Sequence, residues 1–175
     1  KGAQDDIVMT VMLWRLDADD IAGALEIARY AMTWGLTMPT GRRPTPYLLA
    51  EEVALAAQRL LAAKQSVELA NLLDTIALTE RADMPDIVRA KLHKITGYVL
   101  RDANQLPEAL AHLQRAIQLE RTIGVKKDIE QLERQLRPKP EPAPKTKTTK
   151  PRTRKPAAKP AARRGRPPKA AKAAG

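Results

Sequence analysis

Four prolines at alternate positions, Pro138, Pro140, Pro142 and Pro144, set the limit of what this chain can fold as helix. Each removes a backbone donor, fixes φ and pushes the residue before it out of the helical region, so no helix continues through them. The charge changes at the same point. From Pro138 to Gly175 there are 13 Lys and Arg against one acid, Glu141, whereas residues 1–137 hold 18 bases and 19 acids. The sequence therefore divides into a near-neutral body, 1–137, and a Pro/Lys/Arg-rich tail, 138–175, expected to be disordered. A segment of one charge sign with almost nothing to bury is either solvated or bound to a polyanion.

Within the tail stands Arg163-Arg164-Gly165-Arg166-Pro167-Pro168-Lys169, and ahead of it Arg152, Arg154 and Lys155. The core of that run, Arg164-Gly165-Arg166-Pro167, resembles the AT-hook of chromatin and architectural proteins over about seven residues. The narrow minor groove of A·T tracts is strongly negative and draws arginine side chains onto its floor. Glycine between the arginines lets the backbone lie on that floor, where the amine of guanine would otherwise intrude. Two readings remain open: a hook that prefers A·T-rich DNA, and a charge run that holds any phosphate backbone. Both make double-stranded DNA the expected partner.

The body is one domain's worth of chain. It has no Phe and five aromatics, Trp14, Tyr30, Trp34, Tyr47 and Tyr98, so Leu, Ala, Ile, Val and Met must build the core. That composition suits helices. Cysteine is absent, which removes disulfides, thiolate metal sites and a cysteine nucleophile and fits a reducing cytoplasm. No apolar run approaches the roughly 18 residues of a membrane span, so no membrane is expected.

Seven helices are predicted, at about 7–16, 21–34, 46–64, 67–79, 84–101, 107–122 and 126–136. Apolar residues at three- and four-residue spacing mark them, with Asp17-Ala18-Asp19-Asp20 between the first two and Gly35 after the second. Thr45 before Pro46, Ser66, and Asp83 with Pro85 read as helix starts. Alanines seven apart, Ala24 and Ala31 in one helix and Ala109 and Ala116 in another, fall in the second arms of helical hairpins, and Gly97 stands twelve positions before Ala109. The stretch 91–120 resembles a degenerate tetratricopeptide unit, so the fold class is all-α, stacked helical hairpins. Trp14 and Trp34 are assigned to the core, with a subunit interface as the alternative.

Few residues suggest chemistry. Asp17, Asp19 and Asp20 form the densest acidic cluster, and a two-metal nuclease needs such clusters to hold divalent cations. A turn and a helix cap explain the same three residues without metal, and no metal site is assigned. Asp83, Asp86 and Glu80 are read the same way. His93 and His112 are placed on separate helices as surface or boundary residues. Arg42 and Arg43, in a loop rich in Pro and Gly, are candidate contacts to DNA or to another subunit.

The runs KGAQDDIVMTVMLWR at 1–15, DIAGALEIARYA at 20–31, ADMPD at 82–86 and RAKLHKITG at 89–97 are similar to the GpM-type small terminase subunits, also called endonuclease subunits, of temperate tailed phages and prophages. The likeness spans nearly all of 1–137 and continues into the tail. It implies a subunit that binds phage DNA at the cohesive-end region, works with a large ATPase subunit, and directs genome cutting and packaging into the prohead, in the cytoplasm of the bacterial host. It also implies a homo-oligomer and a further basic, helical segment ahead of Lys1. No cofactor is expected in this subunit, with Mg²⁺ required only if the nuclease resides here. The rival readings are a metal-dependent endonuclease in its own right and a helical-repeat scaffold tethered to DNA by its tail.

Overall fold

A computed structural model describes residues 3–39 and 43–137, and over these the chain is all-α, with seven helices and no strand among the described residues. They are α1 (Asp6–Asp17), α2 (Ile21–Trp34), α3 (Thr45–Ala62), α4 (Leu69–Thr79), α5 (Asp86–Asp102), α6 (Leu106–Leu119) and α7 (Lys126–Leu136). Consecutive helices pair as the hairpins α1–α2, α3–α4 and α5–α6. Helix α3 stacks on α2 and α5, and α7 closes against α6.

One turn is used three times. At the ends of α1, α3 and α5 an Ala closes the helix and the next residue, Asp19, Lys64 or Asn104, turns left-handed at φ of 61°, 57° and 60°. In each, the left-handed residue donates its N–H to the carbonyl three back, as Lys64 does to Leu61. The residue after it donates five back, as Gln65 does to Leu60. This pair of bonds is the Schellman arrangement, which satisfies carbonyls the helix leaves orphaned. Repeated at the tip of each hairpin, it is the local rule from which the stack is built. It is the internal repeat that the alanine spacing indicated only faintly.

Aliphatic side chains and alanines make the core. Met9, Met12, Leu16, Leu25, Leu49, Val53, Leu72 and Val88 are fully buried in one cluster that draws on α1 to α5. A second cluster joins Leu100, Ala109, Leu113, Val125 and Leu132, and Leu69 and Tyr98 touch both. Among the described residues the buried polar side chains are four threonines, all satisfied: Thr75, Thr79 and Thr96 bond carbonyls one turn back, and Thr45 donates to the carbonyl of Leu36 at 2.8 Å.

Helices α5 and α6 approach most closely where Gly97 meets Ala109 and Leu113. A Cβ built on Gly97 would lie 2.7 Å from Leu113 Cδ2 and 3.3 Å from the Ala109 carbonyl oxygen. The missing side chain is what lets the two helices meet there, the role its spacing from Ala109 suggested.

Several local expectations are corrected. Thr45 is not an N-cap. It is the first residue of α3, and its hydroxyl ties the helix back to Leu36 while Pro44 takes the cap position. Ser66 does not cap α4, which begins after Glu68 without a side-chain cap bond, and α5 begins after Pro85 rather than at Met84. Trp14 and Trp34 are not core residues: they are 66% and 46% exposed. Trp14 lies on the side of α1 opposite Met9, Met12 and Leu16, which already fill the space toward α2 and α3.

Candidate functional site

The acidic cluster lies at the tip of the first hairpin, where Asp19 and Asp20 each have a structural task. Asp20 caps α2, accepting from the Gly23 N–H at 2.9 Å, and pairs with Arg15 at 2.9 Å. Asp19 accepts from Nε and Nη2 of Arg59 at 3.0 and 2.8 Å, and the same guanidinium donates to the Leu16 carbonyl at 2.8 Å. This fastens α3 to the hairpin tip. Asp17, the last residue of α1, is exposed. Among the described residues no three metal-competent side chains converge. The fold thus directs Asp19 and Asp20 toward two different guanidinium groups rather than toward a common cation.

Of the two loop arginines, Arg42 lies outside the described residues. Arg43 pairs with Glu51 and stands 5.4 Å from the ring centroid of Tyr47, held against the start of α3. The tail residues Arg152, Arg154, Lys155, Arg163, Arg164, Gly165, Arg166, Pro167 and Lys169 also lie outside the described residues.

The histidines are brought together rather than kept apart. His93 of α5 and His112 of α6 meet with their Nδ1 atoms 3.0 Å apart and rings half-buried, so one ring donates a proton to the bare nitrogen of the other. Burial, with His112, Arg115 and Arg89 nearby, pushes the His93 pKa down to about 4, and burial also lowers that of His112. Both are therefore neutral at pH 7. The separation of 19 residues carries no motif, and only the closeness of α5 to α6 reveals the pair.

Sequence inspection also missed a basic face on α5. Lys91, Lys94, Tyr98 and Arg101 recur at helical spacing, which is the signal that could have found them, and they rim a groove between α3 and α5 floored by Ala54, Leu61 and Ile95. Much of this charge is already used. Lys94 Nζ donates to the Ile123 carbonyl at 2.8 Å, and Arg101 lies 4.9 Å from the Tyr98 ring centroid and 3.4 Å from Asp128. Tyr98 donates to Asp128 at 3.1 Å, and its burial and that carboxylate raise the phenol pKa to about 12. The cluster fastens α7 and the segment before it onto α5.

Among the described residues no helix is long and apolar enough to cross a membrane. A stack of α-hairpins whose acidic cluster caps and pairs rather than converges is joined in sequence to a polycation. Residues 1–87 match the family described as phage small terminase subunit. The terminase endonuclease subunit of Escherichia phage P2 is 63% identical over 172 residues, covering 98% of this chain and 69% of that protein. No solved structure matches. The chain belongs to the phage small terminase subunit family.

Proposed function

We propose that this chain binds double-stranded phage DNA, works with the large ATPase subunit of the terminase and directs genome cutting and packaging into the prohead. It does so as an oligomer in the host cytoplasm. The observation that carries this reading is the near-complete alignment with a terminase subunit of phage P2. The 13 bases among the last 38 residues supply the DNA contact.

The two parts of the sequence divide the work. The helical body 1–137 joins subunits, and the tail 138–175 grips DNA. Lysines and arginines that neutralise phosphates release condensed counterions, so affinity falls with salt at a log–log slope of about −0.9 per phosphate contacted. Arg164 and Arg166 reach into the minor groove while Gly165 keeps the backbone low between them. One hook grips weakly, and several tails on one oligomer add avidity.

The test compares the full chain, a deletion of 138–175 and Gly165→Glu on A·T-rich and G·C-rich duplexes at two salt concentrations. The deletion should abolish most binding and flatten the salt slope while leaving the helical content of the body in place. A Gly165 effect confined to A·T-rich DNA supports the hook, and a small loss on both duplexes supports a sequence-blind charge run. Affinity unchanged by the deletion would remove the tail from the mechanism.

The name of the phage P2 relative favours a second reading, in which this chain itself cuts DNA. Against it stand the engagements of Asp19 and Asp20 with Arg59 and Arg15. Cleavage by the isolated chain in Mg²⁺ that disappears in the Asp17/Asp19/Asp20 triple alanine variant would establish that reading.

A further inference from the structure

Helix α1 is apolar on two opposite sides. Met9, Met12 and Leu16 enter the core, while Ile7, Val11 and Trp14 recur at spacings of four and three on the other side. Ile7 is 77% exposed and Trp14 66%. Helix α2 does likewise, with Ala24, Leu25, Ala28 and Ala31 inward and Tyr30 and Trp34 outward, four residues apart. Tyr30 and Trp34, 49% and 46% exposed, lean together with ring centroids 6.3 Å apart. Because both helices turn their inner stripes to the same core, the outer stripes face away from it side by side.

This face is held in place. At one end of the hairpin Gln4 bonds the Thr37 N–H and carbonyl at 3.0 and 2.6 Å, and at the other Arg15 lies over Gly23 and pairs with Asp20. Three of the chain's five aromatic residues stand on it. By their exposure, the four large side chains present on the order of 500 Å² of apolar surface. That approaches the about 800 Å² that each partner contributes to a stable interface, and lies in the upper part of the about 300–600 Å² spanned by the largest apolar patch of a typical monomer, which is often functional.

We infer that the outer face of the α1–α2 hairpin is where two copies of this chain meet, Ile7, Val11 and Trp14 of one packing against the same helices of the other about a two-fold axis. The inference rests on the oligomer included in the proposed function and names the surface that forms it. Three observations choose a second copy as the occupant. A stripe with alternating three- and four-residue steps is the seam two like helices use to interlock. The exposed area is close to what one side of a dimer needs. The body has 18 bases against 19 acids, so two copies do not repel. Trp14 and Trp34, rigid and large, are the residues expected to dominate such a contact.

The test is sedimentation equilibrium of the full chain, in high salt to strip nucleic acid from the tail, beside Trp14→Ser/Trp34→Ser and the control Leu73→Ser. Leu73 is an exposed apolar residue on α4, outside the α1–α2 hairpin. Circular dichroism and urea unfolding confirm that each variant folds, as exposed positions allow. The expected result is a reversible dimer or higher oligomer for the full chain and the control, with the double variant's association constant at least tenfold lower. Equal association of the double variant would overturn this surface while leaving an oligomer in place. A full chain that stays monomeric at every concentration would overturn the oligomer and the surface together, while DNA binding by the tail, measured separately, would stand or fall on its own.

Discussion

The first and third hairpins are closed by the same turn and finished differently. In α5–α6 the contact is intimate: Gly97 admits Leu113, Ala109 and Ala116 are wholly buried, and the outward side of α6 carries Glu108, Gln114 and Arg115. In α1–α2 the helices meet less intimately, and the outward side bears Ile7, Trp14, Tyr30 and Trp34. A hairpin whose apolar residues lie on one side is complete within the chain. One with apolar residues on both sides is complete only when something covers the second. The difference separates the part of this subunit that stabilises the fold from the part that reaches for a neighbour.

The comparison breaks most readily at the glycines. Gly97→Val places a branched side chain where even a Cβ meets Leu113 and the Ala109 backbone, and should cost about 3 kcal/mol in urea unfolding. Gly23→Ala should stay within about 0.5 kcal/mol. Its new Cβ displaces the ends of the Arg15 and Asp20 side chains, which loosens their ion pair and the Asp20 cap, and the helix preference of alanine offsets that loss. Equal losses would mean that the two hairpins are packed alike.

A smaller effect separates them by pH. The folded-state pKa values of His93 and His112 lie below the unfolded value near 6.5, so the unfolded chain takes up protons first as the solution is acidified. Stability should therefore be full above about pH 6.5 and fall toward pH 4, by about 1–2 kcal/mol after allowance for partial exposure. Arg115 and Arg89 add to the cost of charging His93. In His93→Gln much of this slope should vanish. A slope unchanged by that substitution would place the acid sensitivity elsewhere.

The smallest effect concerns the shared turns. Lys64→Gly relieves a left-handed lysine and should raise stability by about 0.5–1 kcal/mol. Asp19→Gly at the equivalent place in the first hairpin should give no gain, because it also removes the acceptor of Arg59. A gain at both would show that the Asp19–Arg59 pair contributes nothing measurable.

Helix positions were legible in the sequence because proline, glycine and acidic breaks punctuate a strongly periodic body, and Gly97 with Ala109 disclosed the closest contact. Caps were less legible. Thr45 and Ser66 have cap-like chemistry, but packing against Leu36 claimed the first, and α4 begins too late for the second. The aromatic residues misled for a physical reason. Tryptophan in a body so poor in aromatics reads as core, whereas leucine, alanine and methionine make this core and both indoles lie outside it. The histidine pair was invisible because tertiary approach alone unites residues 93 and 112. Of the acids read as turn and cap residues, Asp20 caps α2 as expected, Asp19 pairs with Arg59 instead, and no side chain caps α5; the partners Arg15 and Arg59 needed the fold.

The outer face of α1–α2 carries both of the chain's tryptophans, so tryptophan emission, excited where tyrosine does not absorb, reports on that surface alone. The decisive measurement is acrylamide quenching of that emission across a wide range of protein concentration in high salt. Copies that meet through this face predict red-shifted, readily quenched emission in dilute protein, passing to blue-shifted, protected emission as the concentration rises and the oligomer forms. Emission and quenching that stay constant while sedimentation shows association would contradict the pairing of copies through Trp14 and Trp34.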